Sequence, residues 1–396
     1  MKRPAEATTA PMPEPTQDVP HEPDAYAMCR PAPPGEQRLS LKEMAKLLAD
    51  NGFTPEDSAR ALRGAYPDTT AGQMSDALVA AWPGLTPERL AAALKAAGYD
   101  TRPTWMALAS MPTPRSMLGV GVVEGRLLAI AGQSTRPSSG NEAYDPATNT
   151  WTRLAPMPAV HGARNLAVGV VGGKLHALGG DDAQRGANPL TLHFAYDAAT
   201  DTWAARRELP IATQGHGLGV VGGKLHVVGG MSRSVRFTSA NLEYDAAGDS
   251  WRQRAPMPTA RDGLAVGVVG GLLHAIGGRS SQSPFSPLAV HEVYDPVTDT
   301  WSSRKPMPTP RSYLAMAVVG GKLYAIGGGV WHDTGRRLLD TVEVYDSATD
   351  TWSSLPPLPS ARYFHSAASI GDTLYAVGGE HDAPTSLSLL EALRLS

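Results

Sequence analysis

Cysteine is nearly absent: Cys29 is the only one in 396 residues. No disulfide can form within the chain, and the composition is compatible with a reducing compartment. An excess of either charge is absent too. Thirty-five Lys and Arg face 38 Asp and Glu, a formal net charge of −3. That gives no bulk attraction for nucleic acid or an anionic membrane. No apolar run approaches the length of a membrane span. Lys2 and Arg3 are followed by Pro4, Ala5 and Glu6, where a secretory signal would have an apolar stretch. These absences predict a soluble, cytoplasmic protein with neither nucleic acid nor membrane as partner.

What is abundant is glycine and proline, 41 and 34 residues, and they fall at fixed intervals. Gly320-Gly321-Lys322-Leu323-Tyr324-Ala325-Ile326-Gly327-Gly328 reads as a tight turn, a short buried strand and a glycine pair. The phrase returns at 172–180, 222–230, 270–278 and 371–379, and at 124–132 with Ala131 in place of a glycine. A second marker keeps step. Trp105, Trp151, Trp203, Trp251, Trp301 and Trp352 are 46, 52, 48, 50 and 51 residues apart. Tyr-Asp lies seven residues before the last five, at Tyr144, Tyr196, Tyr244, Tyr294 and Tyr345. A Met-Pro or Leu-Pro step follows each Trp, as at Met111 and Leu358.

Three coupled signatures at a period near 50 resemble the kelch repeat, the unit of a propeller blade. The resemblance covers residues 103–396 and implies an all-β propeller. Kelch blades run inner strand, second strand, Tyr-Asp strand, Trp strand. Six inner strands are expected to start near Ser116, Asn165, His216, Gly263, Tyr313 and Phe364. Trp105 has no Tyr-Asp strand before it, and residues 387–393 have no Trp strand after them. The count therefore predicts six blades, closed by the Trp105 strand.

Two further segments precede the repeats. Residues 1–38 are rich in Pro, Ala, Glu and Thr and are expected to be a disordered arm. Residues 39–100 predict a small all-α domain of two duplicated hairpins, with four helices opened by Ser40, Thr54, Thr70 and Thr86. Residues 40–100 hold six Lys or Arg against eight Asp or Glu, which argues against a DNA-binding module.

The repeated residues read first as structure. Small side chains suit crowded inner strands, Trp fills the outer wedge between blades, and Asp starts a turn. His176, His226 and His274 share one repeat position, so they read as hydrogen-bonded core residues and not as a metal set. Arg115, Arg261, Arg311 and Arg362 occupy one place before the inner strand, where Ala163 and Thr213 stand in blades two and three. The resemblance assigns this arginine to loop bracing. A basic ring at the channel mouth, able to hold a carboxylate, is the functional alternative.

Function on a propeller is expected where the copies differ. The resemblance places binding on the segments after each glycine pair and at the entry to the inner strand. The candidate ligand-binding residues are Asp181, Arg279, Trp331, His332, Asp333, Glu380 and His381, with Arg115, Arg311 and Arg362 from the arginine position. Trp331 lies outside the repeat, near Arg336 and Arg337, a composition typical of interface hot spots. Asp181, Asp182, His332, Asp333, Glu380, His381 and Asp382 form an acidic-histidine group, but no spacing within one loop is diagnostic of a metal. His216 and His365 share a repeat position and are expected to face each other across the ring.

Two functions follow. The favoured one is a scaffold that presents its loop face to a protein or peptide. The alternative is an enzyme acting on a sugar or another small polar metabolite, since six-bladed relatives include sialic-acid mutarotases and iron-dependent plant specifier proteins. No Glu-x3-Asp-x3-His set of the specifier kind is present. Nor is there a Tyr-Cys pairing suited to copper-radical oxidases, because Cys29 lies outside the repeats. No cofactor and no metal is expected.

Overall fold

A computed structural model describes residues 24–29, 39–85, 87–99, 103–135, 138–158, 163–182, 188–280, 283–332, 335–381 and 385–395. The chain divides into two compact units, Met1–Arg102 and Pro103–Leu395.

The first unit is helical: α1 Ala25–Met28, α2 Leu41–Asp50, α3 Pro55–Ala65, α4 Ala71–Ala81 and α5 Pro87–Ala96. Ser40 caps α2 and Thr70 caps α4, each with a reciprocal bond from Glu43 or Gln73. Thr54 caps α3, with Pro55 at its first position. The expected cap Thr86 lies outside the described residues. α2 packs on α4 and α3 on α5, so the duplicated hairpins pair like with like. Leu48, Leu62, Met74 and Leu78 are fully buried between them. Each such side chain contributes about 1.5–3 kcal/mol by leaving water. The stretch expected to lack order contains α1, whose Ala25 is buried together with Cys29 in this core. The rest of residues 1–38 lies outside the described residues.

Among the described residues the second unit holds six four-stranded antiparallel sheets and three smaller ones at the loops. Blade one is Gly119–Val123, Arg126–Ile130, Asn141–Asp145 and Thr150–Leu154. The pattern repeats with inner strands Ala167–Val171, Gly217–Val221, Ala265–Val269, Ala315–Val319 and Ser366–Ile370. The sixth blade takes its outer strand from the start of the unit, where Trp105–Ala107 pairs with Leu390–Arg394. The glycine pairs adopt positive φ, as at Gly172 (58°) and Gly173 (74°), and turn the inner strand into the second. Second strands are apolar without alternation because both faces are covered. In Lys174–Leu178 the last four residues are all buried.

Blade contacts explain the repeat residues. A Cβ on Gly267 would lie 2.4 Å from Leu323 Cδ2 of the next blade, so only glycine fits there. Trp151, Trp203, Trp251, Trp301 and Trp352 each pack at a tilt on the Tyr of their blade, with Trp203 5.0 Å from Tyr196. The indole donates to a carbonyl of the neighbouring blade: Trp203 to Ala155 at 2.9 Å, Trp301 to Ala255 at 2.8 Å. The Asp side chains cap the following turns, as Asp145 does for the Ala147 N–H.

The inner strands start one to three residues later than expected. Met117, Asn165, Gly215, Gly263, Tyr313 and Phe364 precede them in the left-handed region, with φ from 53° to 62°. Their backbones point around the axis instead of along a strand. Asn165 N–H donates to Met117 C=O at 2.9 Å, Gly215 to Asn165 at 3.1 Å, and Gly263 to Gly215 at 2.8 Å. Tyr313 donates to Gly263 at 2.7 Å, Phe364 to Tyr313 at 3.2 Å, and Met117 back to Phe364 at 2.7 Å. Four of the six are not glycine, and each left-handed residue of that kind costs roughly 1–2 kcal/mol. The cyclic hydrogen-bond ladder offsets part of that strain.

Candidate functional site

The left-handed ring marks one mouth of the axis. Just before each ring residue, one side chain faces another that follows the glycine pair of the same blade. The backbone bridges are Ser116 with Gln133, Gln214 with Met231, Asp262 with Arg279, Ser312 with Gly329 and Tyr363 with Glu380. Blade two pairs Arg164 with Asp181 in the same way. Two positions per blade thus converge on the mouth, and these are where the copies differ most.

Blades two and four contain ion pairs with their charges exchanged. Arg164 Nε donates to Asp181 Oδ1 at 2.7 Å, and Asn165 donates to Asp181 Oδ2 at 2.7 Å. Arg279 donates from Nε and Nη2 to the two oxygens of Asp262, at 2.9 and 3.2 Å. Tyr313 adds a third bond to Asp262, at 2.8 Å. Burial opposes the charge of Arg279, but the bonds to Asp262 outweigh it and raise its pKa. Burial, helped by Asp262, keeps the Tyr313 phenol protonated well above its usual range. With Met117, Gln214 and Met231 these groups line a cavity of about 190 Å³.

The other side of the mouth is aromatic. Trp331 sits between Tyr313 and Tyr363, with centroids 5.4 and 5.7 Å away. Its ring lies over Gly329, where a Cβ would come within 3.0 Å of it. Phe364 stacks on both tyrosines at 4.3 Å. Arg279 lies over the Tyr313 ring and Arg336 over the Tyr363 ring, each at 5.0 Å. Tyr363 donates to Glu380 at 3.0 Å, and Ser116 donates to the other oxygen of Glu380 at 2.6 Å.

The structure therefore brings Asp181, Arg279, Trp331 and Glu380 to one mouth. His381 is half-buried, with Nδ1 3.1 Å from the Ala361 carbonyl. His332 ends the strand Gly329–His332; its side chain lies outside the described residues, as do Asp333 and Asp382. Asp181 and Glu380 are engaged by separate partners, and among the described residues no three His, Cys, Asp or Glu side chains are placed to hold a metal.

Arg115, Arg311 and Arg362 leave the candidate set. Each has 0% exposure, as has Arg261. Arg115 pairs with Glu142 at 2.6 Å and also donates to the carbonyls of Ala129, Ala131 and Gly140. Arg311 pairs with Glu343 at 3.0 Å, and Arg261 and Arg362 pair with Glu292 and Glu391. Burial lowers the pKa of Arg311 and Arg362 to about 10. These charges pair inside four of the blades and are shut off from solvent. His216 and His365 do not meet at the axis either. Each ring lies against a glycine of the preceding blade, Gly179 or Gly327.

The residues missed at the mouth are Ser116, Arg164, Asp262, Tyr313 and Tyr363. Their signal was present, since the column before the ring residue reads Ser, Arg, Gln, Asp, Ser, Tyr through the six copies.

A family model described as the KLHDC2/KLHL20/DRC7 Kelch-repeats domain matches residues 165–379, and a Kelch motif model matches 114–158. The chain belongs to the kelch-repeat family. Among curated relatives, "Kelch-like ECH-associated protein 1A" of Danio rerio is 37% identical over 84 residues, 20% of this chain and 14% of that protein. "Kelch-like protein 35" of Mus musculus is 32% identical over 108 residues, 27% of this chain and 18% of that protein. The chain thus matches less than a fifth of either relative's length. A solved structure described as "Structure of YjhT" superposes with a TM-score of 0.63 at 16% identity, covering 73% of this chain and 99% of that one. That likeness is one of fold. The recurring Trp, Tyr-Asp, Arg and Glu hold the blades together, and the copies differ at the mouth.

Proposed function

We propose that this kelch propeller is a binding scaffold that captures a protein or peptide at the mouth built from the ring residues and the segments after the glycine pairs. The observation behind it is the contact chain from Met231 through Arg279, Tyr313 and Trp331 to Tyr363 and Glu380. It joins variable residues of four blades into one surface. Trp331 and Tyr313, each partly exposed and flanked by arginines, are of the side-chain types on which interface energy concentrates. No helix among the described residues is long and apolar enough to cross a membrane. The single cysteine accords with a cytoplasmic setting.

The test compares wild type with Trp331→Ala in quantitative affinity capture, followed by titration of the retained partner. Trp331 is half-exposed, so the variant is expected to keep its melting temperature. A partner held by wild type is expected to be lost from the variant by at least about 2 kcal/mol, the range of a hot spot. Equal affinity would place binding elsewhere on the molecule.

A further inference from the structure

The rim around the mouth is electrically lopsided. The segments after the glycine pairs of blades three, four and five, residues 231–238, 279–288 and 329–339, contain five arginines and one acidic residue, Asp333. Those of blades six, one and two, residues 380–388, 133–140 and 181–189, contain four acidic residues and two arginines. Arg233, Arg236, Arg336 and Arg337 are exposed. Arg279 of blade four is half-buried and 3.9 Å from Met231 of blade three; paired with Asp262, it adds no net charge to the rim. The strands Ser283–Pro287 and Gly329–His332 run against each other, so the arc is continuous from blade four to blade five.

Gathering like charges on one rim is unfavourable unless an anion is to arrive. Ser234, next to Arg233 in the chain, is exposed as well. Planar guanidinium forks and hydroxyls are all donors, and they match an anion with several oxygens and more than one charge. A phosphoryl group brings three acceptor oxygens and a charge of about −1.5 to −2, twice the demand of a carboxylate. We propose that the rim of blades three to five is a docking surface for a phosphorylated Ser or Thr segment of a protein partner. The proposal rests on the scaffold reading and names the partner's chemistry.

The experiment uses the full chain and three immobilised degenerate peptide pools, identical except for a central phosphoserine, serine or glutamate. Wild type is expected to bind the phosphoserine pool at least about tenfold more tightly than either other pool. Arg233→Gln, Arg236→Gln and Arg337→Gln together are expected to erase that difference at an unchanged melting temperature. Replacing the same three by Lys keeps the charge but loses the planar fork, and most of the preference should go with it. No binding of any pool, equal binding of the serine or glutamate pool, or a preference that survives both triple variants overturns the proposal. So does equal binding of a single-stranded oligonucleotide of matching charge, which would make the arc a general anion surface. Partner capture that needs Trp331 but ignores phosphate would leave the scaffold reading standing and remove this one alone.

Discussion

Trp105 donates its indole N–H to the carbonyl of Pro356 at 3.1 Å, a bond that spans 251 positions of the chain. It is the same bond that Trp203 and Trp301 make to the blade before them. The first strand of the repeat region therefore occupies the outer place of the sixth blade. Leu108 N–H donates to Leu390 C=O at 2.9 Å and extends that pairing. Removing residues 1–100 is expected to leave the propeller's melting temperature nearly unchanged. Removing residues 1–110 takes away the strand and its wedge and should lower it by on the order of 10 °C. Thermal melts of the two truncations decide the matter, and equal melting would mean that the strand does not latch the ring.

The buried arginines allow a test that uses the protein's own alternatives. Arg261 and Glu292 are paired in blade four, whereas blade three has Thr213 and Leu242 at the same positions. Glu292→Ala leaves a guanidinium uncompensated in the interior and should cost about 3–5 kcal/mol. Arg261→Thr with Glu292→Leu copies blade three and should recover at least about 2 kcal/mol of that loss. Chemical denaturation of the single and double variants measures both, and additive losses would contradict the pairing.

These arginines also mark where the sequence was readable and where it was not. Strand order, blade count and the helix caps at Ser40, Thr54 and Thr70 follow from periodicity and local hydrogen bonding, which act over a few residues. The burial of Arg115 does not, because its partner Glu142 is 27 positions away on another strand. A clue existed within the single chain. Blades one, four, five and six have both Arg and Glu, while blades two and three have neither, with Ala163 and Phe194 or Thr213 and Leu242 instead. The mouth was half legible for a related reason. Variability pointed to Asp181, Arg279 and Glu380, but their partners Arg164, Asp262 and Tyr363 come into register only through a left-handed residue that no propensity foretells.

Acid should loosen the propeller. His176 Nδ1 lies 2.9 Å from His193 Nε2, and His274 and His291 repeat the pair at 2.9 Å. Burial lowers His176, His193 and His274 to about 4 and His291 to about 3. Neighbouring Arg206 opposes protonation of the first pair and Arg304 that of the second, while Asp249 favours it on His176 and His193 and Asp350 on His291. The unfolded chain takes up these protons near pH 6.5 and the folded chain only near 4, so the stabilisation is complete above 6.5 and is lost as pH falls toward 4. The loss at pH 5 is on the order of 1–2 kcal/mol per histidine. Melting curves at pH 7.5 and 5.0 should show it. The double changes His176→Tyr with His193→Val and His274→Tyr with His291→Val copy Tyr324 and Val342 of blade five, and should flatten the pH dependence. An unchanged slope in that variant would assign the acid sensitivity to other groups.

The exchanged ion pairs of blades two and four separate stability from recognition. Asp262 is 1% exposed and satisfies both Arg279 and the Tyr313 hydroxyl. Asp262→Ala strands two partly buried donors beside a residue already held in a left-handed conformation, and should cost about 1–3 kcal/mol. Asp262→Arg with Arg279→Asp recreates the arrangement of Arg164 and Asp181, which the same backbone bridge already supports in blade two. Most of the lost stability should return, because the pair needs opposite charges and not a fixed order. The Tyr313 hydroxyl, however, then faces a guanidinium, and the cation leaves the Tyr313 ring that leads to Trp331. Partner affinity should therefore stay low in the swapped variant although its urea midpoint recovers. If affinity returned with stability, the order of charges would be irrelevant to recognition and the mouth would be reading shape alone.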